Sequence, residues 1–296
     1  MSARLPESLE QPMAQAQSAS RPLSAWINGV GLIAPGLPDW PAAQAVLRGE
    51  QALETSPSVL PAPELLPPAE RRRASRVVKL ALALGLEAAR HGEADVSQLA
   101  TVFTASGADG HNCHALCEQL ATEDRQVSPT RFHNSVHNAA AGYWGIATRS
   151  MAPCQVCCAY DGSFGAGLLD ALAQVELERQ PTLLIAYDSE YPQPLFAKRP
   201  VPDCAGVALL LSPEPTPLSL ARLELVQAPD TVAPTLEDAS LEALRASIPA
   251  LRALPLLQML ARGTWGSTQL EYLPPLSLEV RLHPAIPPAT SLQAES

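Results

Sequence analysis

Aromatic residues are scarce in this chain: Phe, Trp and Tyr make up 4% of its 296 residues, so a core must be assembled from Leu, Ala, Val and Ile. Positive charge is also in short supply. The 20 Lys and Arg face 30 Asp and Glu, giving a formal net charge of −10 and a pI of about 5.1. No basic stripe survives that balance, which argues against a nucleic-acid partner. No uninterrupted apolar run reaches the ~18 residues of a membrane helix, because the best candidates are broken by Pro, Lys or Glu. The N-terminus, MSARLPESLEQPMAQAQSASRP, is polar and lacks the apolar centre of a secretory signal. Six cysteines are present, with Cys157 and Cys158 adjacent, and their irregular spacing does not read as a disulfide framework. These absences predict a soluble protein of the reducing cytoplasm, without a membrane span. No internal repeat is visible, and no cofactor is expected.

What is present describes a folded chain. Hydrophobic residues reach 47% and charged residues 17%, the balance of a packed globular protein of one large or two small domains. The abundance of Ala and Leu favours helices packed closely on something flat. Residues 1–23 read as a flexible leader. AWINGVGLIAP (25–35) has strand character and ends at Pro35–Gly36, and a short helix over 40–47 follows. TSPSVLPAPELLPPAE is too proline-dense for regular structure. From about Pro68, Val77, Leu80, Ala81, Leu84 and Ala88 recur at helical spacing, and that helix should stop near His91–Gly92.

A strand in TVFTASGAD, a short helix over 114–120 and the loop VSPTRFHNSVHN come next. AAAGYWGIATRS should be helical, CQVCCAYD a buried strand, and SFGAGLLDALAQVELER a strong helix from Ser163. PTLLIAYDSEY and GVALLLSP supply two further strands. The alternation over 25–212 implies an α/β layered domain around a buried, mixed sheet. Beyond it the chain is proline-rich, with one helix expected over 240–251, weak strands in TQLEYL and LSLEVRL, and a flexible tail over 283–296. The domain proper is read as 24–282.

The most informative stretch is NAAAGYWGIATRSMAPCQVCCAYDGSFGAGLLDA, residues 138–171. It resembles the β-ketoacyl synthases, whose pattern runs from an Asn-x-x-Ala-Gly helix start through Gly-Pro and a strand to a sharp turn bearing the nucleophilic Cys. A helix of small residues closing on Asp-Ala follows. Laid on without a gap, Asn138, Ala141 and Gly142 match the helix start, Pro153 the proline, and Asp170–Ala171 the close. The nucleophile position then falls on Asp161. INGVGLIAP, ERRRASRVVKLALALGLEAA, TVFTASGADG and DCAGVALLLSPEP resemble the flanking elements of the family, so the likeness spans about residues 25–213. It implies a thiolase-like fold of the ketosynthase N-terminal-half type, a mixed sheet covered by helices.

The departures carry the functional reading. Condensation needs a thiolate at a helix N-terminus, where the dipole lowers the thiol pKa. Asp161 cannot form the acyl thioester, and Cys157 and Cys158 lie four and three residues early. A register shift would rescue Cys158 only by opening a gap in the match. The family also uses two histidines of a second half. After Pro213 this chain offers only His283, with no His-Gly-Thr or Gly-His sequence. No catalytic residue is therefore assigned. The combination is most similar to the short chain length factors of aryl polyene and related pathways. That resemblance implies an inactive subunit pairing with a catalytic β-ketoacyl synthase as a heterodimer, through sheets continued across a two-fold, and bounding the acyl tunnel. Asn138, Gly142, Asp161, Gly162, Ser163 and Phe164 are the tunnel or interface candidates.

Other constellations read more simply. HNCHALC places His111, Cys113, His114 and Cys117 near one another, but a zinc site wants two spaced ligand pairs, so no metal is expected. Ser163 lies in GSFG, short of a Gly-x-Ser-x-Gly elbow, and reads as a helix cap. A stand-alone hydrolase using Ser163, with His137 and Asp161 completing a triad, is the alternative, as is a decarboxylase using Asp161. His133 and His137 are expected to hydrogen-bond backbone. Arg71, Arg72, Arg73 and Arg76 form a basic cluster that suits either a solvated helix start or docking of an acidic acyl carrier protein.

Overall fold

The computed structural model describes residues 21–107, 109–229 and 231–285. Most of the expected leader and tail therefore lies outside the described residues. The chain builds one eight-stranded mixed sheet, in the order β3 (Cys154–Cys157), β2 (Ala100–Thr104), β4 (Thr182–Asp188), β5 (Ala205–Ser212), β1 (Leu23–Ile33), β6 (Ala221–Pro229), β8 (Leu276–Pro284), β7 (Gly266–Glu271).

Its centre is made of the apolar runs. β1 (Leu23–Ile33) pairs antiparallel with β5 (Ala205–Ser212), and β5 antiparallel with β4 (Thr182–Asp188). β2 (Ala100–Thr104) lies parallel to β4. Every residue of β2, β4 and β5 is buried, as strands covered on both faces must be. Along β4 the side chains alternate: Leu183, Ile185 and Tyr187 enter one core, Leu184 and Ala186 the other.

The first core is closed by α3 (Arg76–His91) and α6 (Ala139–Thr148). The second is closed by α1 (Trp40–Arg48), α7 (Ser163–Glu178), α8 (Ala239–Ser247) and α9 (Leu254–Arg262). Helix α3 lies directly on β1. A Cβ at Gly29 or Gly31 would fall 2.1 Å from the Ala88 carbonyl oxygen or 2.2 Å from that of Leu84, so the glycines permit the contact. The buried Glu87 of α3 fixes the next turn, accepting the N–H groups of Leu32 and Trp40 at 2.9 and 2.7 Å.

Several expectations need correction. The single helix expected from Pro68 is two, α2 (Pro68–Arg73) and α3, separated by an extended Ala74. The Arg73 carbonyl at the break accepts the Asn134 side-chain amide. Helix α4 (Gly110–Ala121) starts earlier than expected because the Asp109 side chain caps it, and the loop that follows contains α5 (Pro129–His133). The strand read as buried, β3 (Cys154–Cys157), is an edge strand paired only with β2, and Cys154 and Gln155 are exposed.

The C-terminal part holds two elements missed in the sequence, α9 and β6 (Ala221–Pro229). The helix expected to reach Leu251 stops at Ser247, since Pro249 opens a short 3-10 turn before α9. Finally, β7 (Gly266–Glu271) and β8 (Leu276–Pro284) form an antiparallel pair beside β6, so ordered strand runs past the expected boundary at His283.

Candidate functional site

The parallel strands β2, β3 and β4 end on the same side of the sheet, where α/β proteins place their sites. From β3 the chain turns sharply into α7 through Tyr160–Gly162. Tyr160 takes a left-handed backbone conformation at φ 51°, an unfavourable one for a bulky residue. The Ser163 side chain locks the turn: its Oγ accepts the Ala159 N–H at 3.0 Å and lies 2.7 Å from the Tyr160 carbonyl and 3.1 Å from that of Ala105. Gly162 is sealed from above, because a Cβ there would meet the Tyr272 carbonyl at 2.6 Å.

Asp161 sits on this turn with its side chain half exposed. Arg199, from the long β4–β5 loop, donates to Asp161 at 2.8 Å and lies 3.8 Å from the centroid of the Tyr160 ring. Both ends of that loop are held by Arg76, which pairs with Glu190 at 3.0 Å and Asp203 at 2.8 Å and donates to Cys204 Sγ at 3.0 Å. Glu190, Asp203 and Cys204 are the one ligand-like cluster among the described residues, and the guanidinium already occupies its centre.

Beneath the turn, Asp188 ends β4. One carboxylate oxygen accepts the Ser106 N–H at 2.8 Å and hydroxyl at 2.6 Å, and the other accepts the Ala250 N–H at 2.8 Å. Complete burial outweighs these bonds and pushes its pKa up to about 6. Cys157 and Cys158 lie just before the turn. Desolvation raises both thiols above their ordinary value, although Cys158 reaches the surface, whereas condensation needs a depressed one.

A sequence profile described as "Beta-ketoacyl synthase, N-terminal domain" matches residues 40–265 of this chain. The chain belongs to the β-ketoacyl synthase family. The match runs well past the boundary near residue 213 expected from the motifs. Comparison with curated protein sequences finds no match. Among solved structures, a ketosynthase in complex with its chain length factor from Xenorhabdus doucetiae aligns at 22% identity and TM-score 0.66, over 88% of this chain and 99% of that one. The ishigamide ketosynthase/chain length factor aligns at 15% identity and TM-score 0.67, over 89% and 100%. A β-ketoacyl synthase from Burkholderia phymatum aligns at 12% and 0.64, over 88% and 99%. At these identities the likeness establishes the thiolase-like fold.

Within this ketosynthase-like fold the sequence candidates separate. Asp161, Gly162 and Ser163 share the turn, and the fully buried Phe164 points into the core between the sheet and the C-terminal helices. Asn138 and Gly142 are exposed at the start of α6, and space beside Gly142 is open. Ser163 is a lock and not a cap, since Gly162 holds the cap position.

All six histidines are described, and none bonds to Asp161 or Ser163: His91 contacts the Val30 carbonyl, His111 Glu190, His114 Glu118 and His283 Glu224. This geometry does not favour the hydrolase alternative: the Ser163 hydroxyl is buried and bonded to backbone, with no histidine hydrogen-bonded to it. Nor do His133 and His137 make the backbone bonds expected of them; His133 packs edge-on against Tyr143, and His137 is exposed.

The arginine cluster divides as well. Arg71 donates to the Glu64 and Leu66 carbonyls, Arg73 pairs with Glu70, and Arg76 holds the β4–β5 loop. Arg72 has no hydrogen-bond or ion-pair partner among the described residues, and with Arg73, Arg76 and Arg131 it lines a cleft of about 540 Å³. Arg131, Tyr160, Asp188 and Arg199 escaped the sequence reading. Only Asp188 left a trace there, as a carboxylate closing an otherwise apolar strand.

Proposed function

We propose that this chain is a non-catalytic ketosynthase-like subunit, a chain length factor, which pairs with a catalytic β-ketoacyl synthase and bounds its acyl tunnel. One observation carries the reading. At the position that the motif match gives to the nucleophile stands Asp161, held by Arg199, and none of the six histidines is hydrogen-bonded to it. A carboxylate in an ion pair forms no thioester, and no histidine bonded at the turn is there to polarise the thioester carbonyl.

The surface supports pairing. β3 leaves one edge of the sheet open, an arrangement that invites a second sheet. The segment wrapping that edge exposes Ile146, Met151 and Tyr160, with Met151 96% accessible. Solved relatives of this fold include ketosynthases in complex with chain length factors. The finer assignment, to aryl polyene or related polyene biosynthesis, rests on the sequence resemblance, and the cytoplasmic setting on the irregular cysteine spacing. Docking of an acyl carrier protein on the heterodimer is assigned to the Arg72–Arg131 cleft, whose cations stand out in an acidic chain.

Co-expression with a catalytic β-ketoacyl synthase of the same source, followed by size exclusion and mass determination, tests the reading. A stable one-to-one heterodimer is the expected outcome. A homodimer or monomer that ignores the ketosynthase would overturn it. Asp161→Cys should not create a condensing enzyme, and an Asp161→Cys chain that elongates acyl groups alone would sink the assignment.

A further inference from the structure

The turn presents one large side chain to the surface. Tyr160 is 63% exposed although it is large and aromatic, and it adopts φ 51°, a conformation costing about 1 kcal/mol or more. Both features are maintained by specific contacts. Its carbonyl lies 2.7 Å from Ser163 Oγ, and its ring is backed by the Arg199 guanidinium at 3.8 Å. Arg199 is itself fixed by Asp161, at 2.8 Å. The cation covers one ring face and leaves the other to the surroundings.

The rest of the turn offers nothing apolar. Phe164 is fully buried, Asp161 is paired, and Gly162 lies under the Tyr272 backbone. Tyr160 also follows the open edge strand β3 by three residues, on the side where the partner joins in the reading above.

We propose that Tyr160 is the specificity-determining side chain of this subunit: its free face forms the wall against which the partner's growing hydrocarbon chain stops. Asp161 and Arg199 are positioning residues that hold the ring. A flat aromatic face suits an extended or conjugated acyl chain, which gains contact along its length. This account gives the charged pair at the turn a role: it orients a neighbour. The inference rests on the chain length factor reading.

The test is the product profile of the purified heterodimer, read by mass spectrometry of the carrier-bound chains. Tyr160→Ala should lengthen the longest product by a two-carbon unit or more, Tyr160→Trp should shorten it, and Tyr160→Phe should leave it unchanged. Arg199→Gln should broaden the distribution, because the ring is no longer held, whereas Arg199→Lys, which keeps the cation, should broaden it less. An unchanged profile from intact Tyr160→Ala and Tyr160→Trp complexes overturns the proposal. So does loss of the heterodimer in Tyr160→Ala with recovery in Tyr160→Phe, which makes Tyr160 an interface anchor. A wild-type chain that never binds the ketosynthase refutes the underlying reading instead, and the two failures are thereby distinguished.

Discussion

The two halves of the sheet are built on different rules. In β2, β4 and β5 every residue is buried, and helices cover both faces. In β6, β8 and β7 burial alternates: Leu223, Leu225, Leu270, Val280 and Leu282 face the core, while Arg222, Glu224, Glu279 and Arg281 lie on the other face. The first half has helical layers on both sides and carries the Asp161 turn at its strand ends. The second has one covered face, and its loops close over that turn through Tyr272 and Ala250. One half supplies the scaffold of the site and the other its roof.

The sharpest way to break this comparison is a charge placed in each half. Leu209 of β5 is fully buried, and a carboxylate there would be stranded without a partner. Leu209→Asp should consume much of the roughly 5–15 kcal/mol that holds a domain folded, leaving no folded protein by circular dichroism. Val226 of β6 is only partly buried and pairs across the ladder with Glu279. Val226→Asp should fold, at a cost of about 1 kcal/mol for facing a like charge. Equal damage from both would show that the outer face of β6 is covered.

The same contrast explains what could be read from the sequence. The buried runs TVFT, TLLIAYD and GVALLLS are apolar at nearly every position and stand out at once, as do the helices that punctuate them. β6 has the sequence ARLELVQAP, a short alternation no stronger than that of many loops, and it became a strand only through pairing with β1 and β8. Helix α9 was hidden by Pro255, which is harmless in the first turn but reads as a breaker. β3 was misjudged because apolar content does not reveal which strand lies at an edge. At the candidate site, Asp161 was singled out by the spacing of the motif alone. Arg199 lies 38 positions away in a proline-rich loop, and only the fold brings it there.

Asp188 is where the halves meet: it ends a strand of the first and accepts the Ala250 N–H from the second. Its pKa rises from 3.8 to about 6 on folding, so between those values the native state binds more protons than the unfolded one. Its contribution to stability is therefore complete below pH 4 and is lost as pH climbs through about 6. The loss is at most about 3 kcal/mol, from two units at 1.36 kcal/mol each. Asp188→Asn should flatten this part of the pH dependence, measured by urea unfolding from pH 4 to 8. A wild-type curve equally flat there would show that Asp188 is not held as described, and that the roof rests on the scaffold by other contacts.

The smallest effect tests the outer face most directly. Arg222 pairs with Glu224 at 3.0 Å, Glu224 also reaches His283 at 3.3 Å, and Arg281 pairs with Glu279 at 2.7 Å. The side chain of Arg222 is 41% exposed, so solvent and salt screen its attraction to Glu224. Arg222→Ala should cost no more than about 0.5 kcal/mol, and that difference should disappear near 1 M salt. The effect should not depend on any partner joined at β3, since the face lies toward the far end of the sheet. A loss above about 1.5 kcal/mol that persists in salt would mean a desolvated pair, and hence a second covered face. The two halves would then be built alike, and the alternation in β6 and β8 would record a buried polar layer in place of a solvated one.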